Sequence, residues 1–301
     1  MIKKTTLLLL LTLSILAIFW NCTQKTSLPD LATIPWISIY NYRPSEIFSL
    51  ITTTTLPGPQ IPVQVNHEFR YILLDINACG LILKENTFKK CNFEPQRLSN
   101  RITETGEALI EEGYLHDITF LGQTYPLLYV SMLKRGTTNE NLKGVLGRNF
   151  LTDGRLTLDM TNKILGFSTN PTAELTTIYP DSHLVSFHQE QYSDNDFGLL
   201  KFPCVIGDQQ YLATFDMRHS VNRICPLLAR QISGKSTPHK VTIPLLNIGQ
   251  KQFENVSCQV NPDAIDFEAE CPDSIQLTLG LELLSRIVLT IDFIESRLLF
   301  E

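Results

Sequence analysis

"LGRNFLTDGRLTLDMTNKILGF", residues 146–167, returns later in the same chain as "LGLELLSRIVLTIDFIESRLLF", residues 279–300. The two stretches align without a gap. Identical pairs are Leu146/Leu279, Gly147/Gly280, Leu151/Leu284, Leu156/Leu289, Thr157/Thr290, Asp159/Asp292, Leu165/Leu298 and Phe167/Phe300. Each copy reads as an apolar strand ending in Gly, a short helix, and a strand hairpin with "DMTNK" or "DFIES" at its turn. Self-similarity of this kind governs the reading of everything between the copies.

A second pair lies upstream of the first. "IPVQVNHEFRYILLDINACGLIL" (61–83) aligns with "FPCVIGDQQYLATFDMRHSVNRI" (202–224), again without a gap. Pro62 falls on Pro203, Leu74 on Phe215, and Asp75 on Asp216. Each copy reads as a strand, a tight turn ("NHE", "GDQQ"), a second strand, and a loop that opens with Asp. A carboxylate beside core residues such as Leu73 and Leu74 is expensive to bury without partners. The chain accepts that cost twice, at matched positions. Asp159 and Asp292 also repeat, but they fall at hairpin turns, where Asp favours the turn geometry. Strand-like alternation dominates, and long helical periodicity is absent. The expected fold is all-β and bilobal: two similar β halves related by a pseudo-twofold, with a cleft between them holding Asp75 and Asp216.

Composition is that of a globular protein, 43% hydrophobic and 19% charged, with a formal net charge of −6. That balance excludes a sequence-independent nucleic-acid binder. The chain carries no Walker loop, GxGxxG, HExxH or CxxC. His183 and His188 lack a third ligand at a metal-binding spacing, so neither a metal nor a cofactor is implied. At the N-terminus, "MIKK" and the apolar run Leu7–Trp20 have the form of a signal peptide, too short to span a membrane comfortably. Cys22 resembles the acylated cysteine of bacterial lipoproteins, which implies export and a lipid anchor on the periplasmic face or the cell surface. Six further cysteines suggest disulfides in an exported chain; sequence-local pairing would join Cys79–Cys91, Cys204–Cys225 and Cys258–Cys271, although no single connectivity follows from sequence. The expected organisation is a signal peptide (1–21), a tether and N-terminal strand region (22–56), an N-terminal lobe (57–172) and a C-terminal lobe (173–301).

The paired Asp loops and the paired hydrophobic-Gly strands that follow resemble the pepsin/retropepsin-like aspartic proteases, over about residues 57–301. The resemblance implies a bilobal fold with Asp75 and Asp216 as a catalytic dyad. One carboxylate takes a proton from a shared water, and the other protonates the developing oxyanion. It implies a peptide or protein as substrate or ligand, and a monomer, since one chain supplies both lobes. The family loop reads Asp-Thr/Ser-Gly. Here the loops read Asp75-Ile76-Asn77-Ala78 and Asp216-Met217-Arg218-His219. Ile76 and Met217 lack the hydroxyl that crosses to the opposite loop in the family. Arg218 near the acids would favour their ionised forms. Two functions therefore stand side by side: an exported, membrane-tethered aspartic endopeptidase, and an inactive relative that binds a peptide or extended segment in the cleft.

Overall fold

A computed structural model describes residues 28–88, 91–103, 106–136, 141–189, 199–260 and 275–301. The signal-peptide segment and Cys22 lie outside the described residues. No helix among those described is long and apolar enough to cross a membrane. The chain divides into two units, Met1–Ile34 and Pro35–Glu301. In the first, Asp30 caps the single turn Leu31–Thr33 by accepting the Ala32 N–H at 3.2 Å.

The second unit is built almost entirely of strands. In chain order they begin with β1 (Ile47–Ser49), β2 (Gln60–Val65), β3 (Glu68–Asp75), β4 (Leu81–Lys84), β5 (Phe93–Thr103), β6 (Gly106–Phe120), β7 (Gln123–Arg135) and β8 (Gly144–Gly147). Then come β9 (Arg155–Asp159), β10 (Ile164–Ser168), β11 (Val185–Ser186), β12 (His188–Gln189), β13 (Leu200–Ile206), β14 (Gln209–Phe215) and β15 (Asn222–Ile224). The last are β16 (Lys240–Ile248), β17 (Lys251–Val260), β18 (Leu277–Leu279), β19 (Val288–Asp292) and β20 (Arg297–Phe300).

These strands form two barrels and a sheet between them. The N-terminal barrel runs β2-β3-β8-β4-β7-β6 and closes through β2–β6, with β5 appended beyond β6. The C-terminal barrel runs β13-β14-β18-β15-β17-β16 and closes through β13–β16, with β12 appended beyond β13. The two orders correspond strand for strand. Their cores are apolar and fully buried, as at Ile72, Leu74 and Leu146 in one lobe and Ala213, Phe215 and Leu279 in the other. The repeated hairpin turns use the backbone freedom they need: Asn66 and His67 have φ of 46° and 68°, and Gly207 has φ of 62°.

The connecting sheet has the order β1-β10-β9-β19-β20-β11. Its centre is the antiparallel pair β9–β19, in which Thr157 lies opposite Thr290. Those two residues are also each other's counterparts in the sequence repeat. The pseudo-twofold therefore passes between them, and their hydroxyl oxygens stand 3.0 Å apart. Tyr42 and Tyr40 reach in from the N-terminal side, to Thr157 at 3.1 Å and to Thr290 at 3.4 Å. The stretch from Pro35 to Ser49, read as part of a tether, thus packs against this sheet. Trp36 is 3% exposed and donates its indole N–H to Asp159.

The repeated turn acids are buried anchors. Asp159 accepts the backbone and side-chain N–H groups of Asn162. Asp292 accepts the Ile294 and Glu295 backbone N–H groups and binds Arg155 at 2.7 Å. The disulfide expectation is corrected: Cys79, Cys91, Cys204, Cys225 and Cys258 are free thiols. The Cys79–Cys91 and Cys204–Cys225 bridges are therefore not formed, and Cys258 is unbridged, while Cys271 lies outside the described residues. Cys225 caps the helix Pro226–Ser233 by accepting the Leu228 N–H, and Cys204 and Cys258 pack into the core. Burial pushes the Cys204 and Cys258 thiols up to about 12.

Arg155 and Asp292, both buried, test this sheet. Removing one partner leaves an uncompensated charge, so Asp292→Ala is expected to cost about 3–5 kcal/mol of unfolding free energy. Replacing both by aliphatic residues is expected to cost less than that single change. Urea denaturation of the singles and the double checks the order; additive losses would contradict it.

Candidate functional site

Asp75 ends β3, and Asp216 follows β14 directly. Behind each acid runs a parallel strand with a glycine as its last residue or directly after it. In the N-terminal lobe Asp75 lies opposite Gly147 of β8. In the C-terminal lobe the Asp216 N–H donates to Leu279 O of β18 at 2.8 Å, next to Gly280. Glycine is required at both strand ends because the acid loop crosses directly over them. A Cβ on Gly147 would stand 2.5 Å from Ala78 O, and one on Gly280 would stand 2.4 Å from Val221 O. The next N–H groups pin the loops in the same way. Arg148 N donates to Ala78 O at 2.8 Å, and Leu281 N donates to His219 O at 3.0 Å.

The carboxylate cradles also match. Asn77 N donates to Asp75 Oδ1 at 3.0 Å, and Arg218 N donates to Asp216 Oδ1 at 2.9 Å. Asp75 and Asp216 are 4% and 6% exposed, so both are buried acids held by backbone donors. The structure brings the two together. Arg218 Nε lies 3.4 Å from Asp75 Oδ2 and 3.5 Å from Asp216 Oδ1, which bounds the separation of those oxygens by the sum of the two distances. One guanidinium nitrogen thus faces both acids at once.

Further side chains gather on Asp216. His219 Nδ1 lies 2.6 Å from Asp216 Oδ2, and Arg223 Nη1 lies 4.0 Å from the same oxygen. Burial pushes the Asp216 carboxyl up. The His219 hydrogen bond, the Arg218 charge and the Arg218 backbone N–H together outweigh it and bring the carboxyl down to about 2.

The second and third loop positions have exchanged tasks relative to the expected pattern. Ile76 is fully buried and Met217 is 1% exposed, so both second-position side chains serve as packing. The crossing contacts come from the third positions. Asn77 Nδ2 donates across the lobes to Phe215 O, the carbonyl just before Asp216, while Asn77 Oδ1 accepts from Leu200 N at 3.4 Å. In return, Arg218 reaches from the C-terminal lobe to Asp75. Ala78 is 4% exposed and sits over Gly147.

Sequence reading placed the loop residues but missed two contributors. Arg223 lies within the quoted repeat but was not singled out. Gly58 was not singled out, yet a Cβ there would stand 2.3 Å from Met217 O. The N-terminal lobe's lead-in segment thus rests against the backbone of the opposite acid loop. The only hint of the crossing contacts was that Asn77 and Arg218, both polar, occupy the same place in the repeat. Among the described residues, no group of His, Cys, Asp and Glu is arranged to hold a metal ion.

No protein-family model matches the chain, and no curated protein matches it. Among solved structures, the chain is similar to an aspartic proteinase from Irpex lacteus. The match has 12% identity, covers 84% of this chain and 96% of that one, and has a TM-score of 0.55. The chain has the bilobal aspartic-protease-like fold.

The depressed Asp216 carboxyl has a consequence for acid stability. The unfolded group, near 3.8, takes up its proton before the folded group, near 2. Its contribution is present above about pH 4 and lost as pH falls toward about pH 2, amounting to about 2 kcal/mol. Unfolding free energies measured across that window should fall more steeply for the wild type than for Asp216→Asn. Equal slopes would refute the assignment.

Proposed function

We propose that this protein binds an extended peptide segment in the cleft between its lobes and does not hydrolyse it. One observation carries the reading: the Arg218 guanidinium lies within 3.5 Å of both Asp75 and Asp216. Hydrolysis by paired carboxylates needs the two acids to share one proton, so that one is base and the other acid. A guanidinium stays charged throughout the working pH range. Set against both acids, it favours the state in which both are ionised, and that state has no proton to give an oxyanion. It also lies between the carboxylates, where the attacking water would have to be held. The cleft remains, with polar side chains on its floor. Arg218 and His219 are 38% exposed and Arg223 is 32% exposed, so their polar heads are accessible to a ligand.

Peptide-library incubation from about pH 3 to about pH 7 is expected to give no cleavage by the wild type. Selected extended peptides are expected to bind, with affinity changed by less than about tenfold in Asp216→Asn, because the acids are not the ligand's main partners. A transition-state mimic should bind no better than a plain peptide of equal length. Cleavage that disappears in Asp75→Asn would overturn the proposal in favour of the endopeptidase.

The same proposal puts the protein outside the cytoplasm, anchored through acylated Cys22 and acting as a monomer. The basic start, the apolar run and the following cysteine support this placement. Cys22→Ala is expected to move the chain from the membrane fraction to the soluble exported fraction. Retention in the membrane would contradict the anchor.

A further inference from the structure

We infer that the Asp75/Asp216 pair is a latent hydrolytic centre, silenced by the side chain of Arg218 and otherwise assembled. The inference rests on the non-hydrolytic reading above and asks what that reading leaves intact. The remaining parts of the centre come in matched pairs. Each carboxylate accepts the N–H two residues onward, at 3.0 Å and 2.9 Å. Each loop is pinned over a glycine strand end by the N–H of the next residue, Arg148 or Leu281. The lobes are fastened beside the acids by Asn77 and by the Gly58–Met217 approach. None of these restraints uses the Arg218 guanidinium. The Arg218 backbone N–H that supports Asp216 is present whatever side chain stands at 218.

With the guanidinium gone, no cation touches both buried carboxylates; Arg223 stays 4.0 Å from Asp216 Oδ2 alone, and mutual repulsion of the two acids drives uptake of one shared proton. His219 Nδ1 still stands 2.6 Å from Asp216 Oδ2 and Arg223 faces the same oxygen, so with the Nδ1 proton in place Asp216 is the better-stabilised anion and Asp75 the member that takes the proton. The step then balances without any further reagent. Water oxygen bonds to the peptide carbonyl carbon while its proton passes to Asp216, and Asp75 gives its proton to the carbonyl oxygen. Collapse of the tetrahedral adduct breaks the C–N bond. The proton on Asp216 goes to the departing nitrogen, and a hydroxyl proton of the adduct returns to Asp75.

The test uses the full chain with three substitutions. Arg218→Gly removes the side chain and frees the backbone. Arg218→Gln keeps the length without the charge. Arg218→Lys keeps the charge. Incubated with a peptide library near about pH 4, the Gly and Gln variants are expected to cleave at least about 10²-fold above the wild-type background, and the Lys variant to stay at background. Adding Asp75→Asn to either active variant should return it to background. Thermal unfolding and peptide affinity establish that each variant is folded; Arg218→Gln makes no new backbone demand and decides the matter if the Gly variant does not fold. Silence of the folded variants overturns the inference, as does cleavage that survives Asp75→Asn. Cleavage by the wild type would instead sink the binding reading. Silent variants beside a silent, peptide-binding wild type sink this inference alone.

Discussion

The antiparallel pairing of β9 with β19 is the constraint on which the rest depends. An antiparallel pair has its own local twofold, and the sequence repeat has another. They coincide because Thr157 and Thr290 are partners in both senses. A slip of one residue in that register would turn Leu156, Leu158, Leu289 and Ile291 from one face of the sheet to the other. It would also carry the two acid loops out of line, since each loop is tied through its glycine strand and short helix or turn to this sheet. The polar contacts at the centre fix the register where hydrophobic packing alone would be less selective. Two buried threonines and two tyrosines hydrogen-bond one another there, and Arg155 pairs with Asp292 on the same strands.

That shared axis explains why two acids in a mostly apolar interior are tolerated at all. Each is a buried charge whose own loop supplies a backbone donor. Brought together they would repel, and either a shared proton or a cation must resolve the conflict. In this chain the cation is supplied from the loop itself. Residue 218 contributes both the N–H that cradles its own lobe's acid and the guanidinium that reaches the other. The cost of holding a charged side chain in one pose is offset by two carboxylates in place of one, and by burial that limits screening by solvent.

How much of this was legible beforehand varies with the range of the interaction. The two repeats carried the hairpins, the two halves and the pairing of the acids, because duplication makes a long-range arrangement visible as a local match. Asp159 and Asp292 were correctly read as turn residues, but their burial and their bonds to Trp36 and Arg155 lie between segments far apart in sequence. The crossing contacts were hidden for the same reason. Asn77 and Arg218 looked like losses from a Thr-Gly pattern, and nothing in a linear string shows that the third position can take over a contact from the second. The cysteines misled because an even count suggests pairing, whereas Cys204, Cys225 and Cys258 fill core space or cap a helix. The segment from Pro35 looked like a tether through its prolines and polar residues. Trp36, Tyr40 and Tyr42 within it were the sign of a packed element.

The exchange between Asn77 and Arg218 has one more effect. Where the ancestral repeat would have made the floor of the cleft the same from either end, one side now carries a short neutral amide engaged with a backbone carbonyl, and the other a long cation with His219 and Arg223 beside it. A strand laid along this groove meets unlike chemistry at its two halves. On the peptide-binding proposal, this difference would let the site distinguish a chain running N-to-C from the same chain reversed.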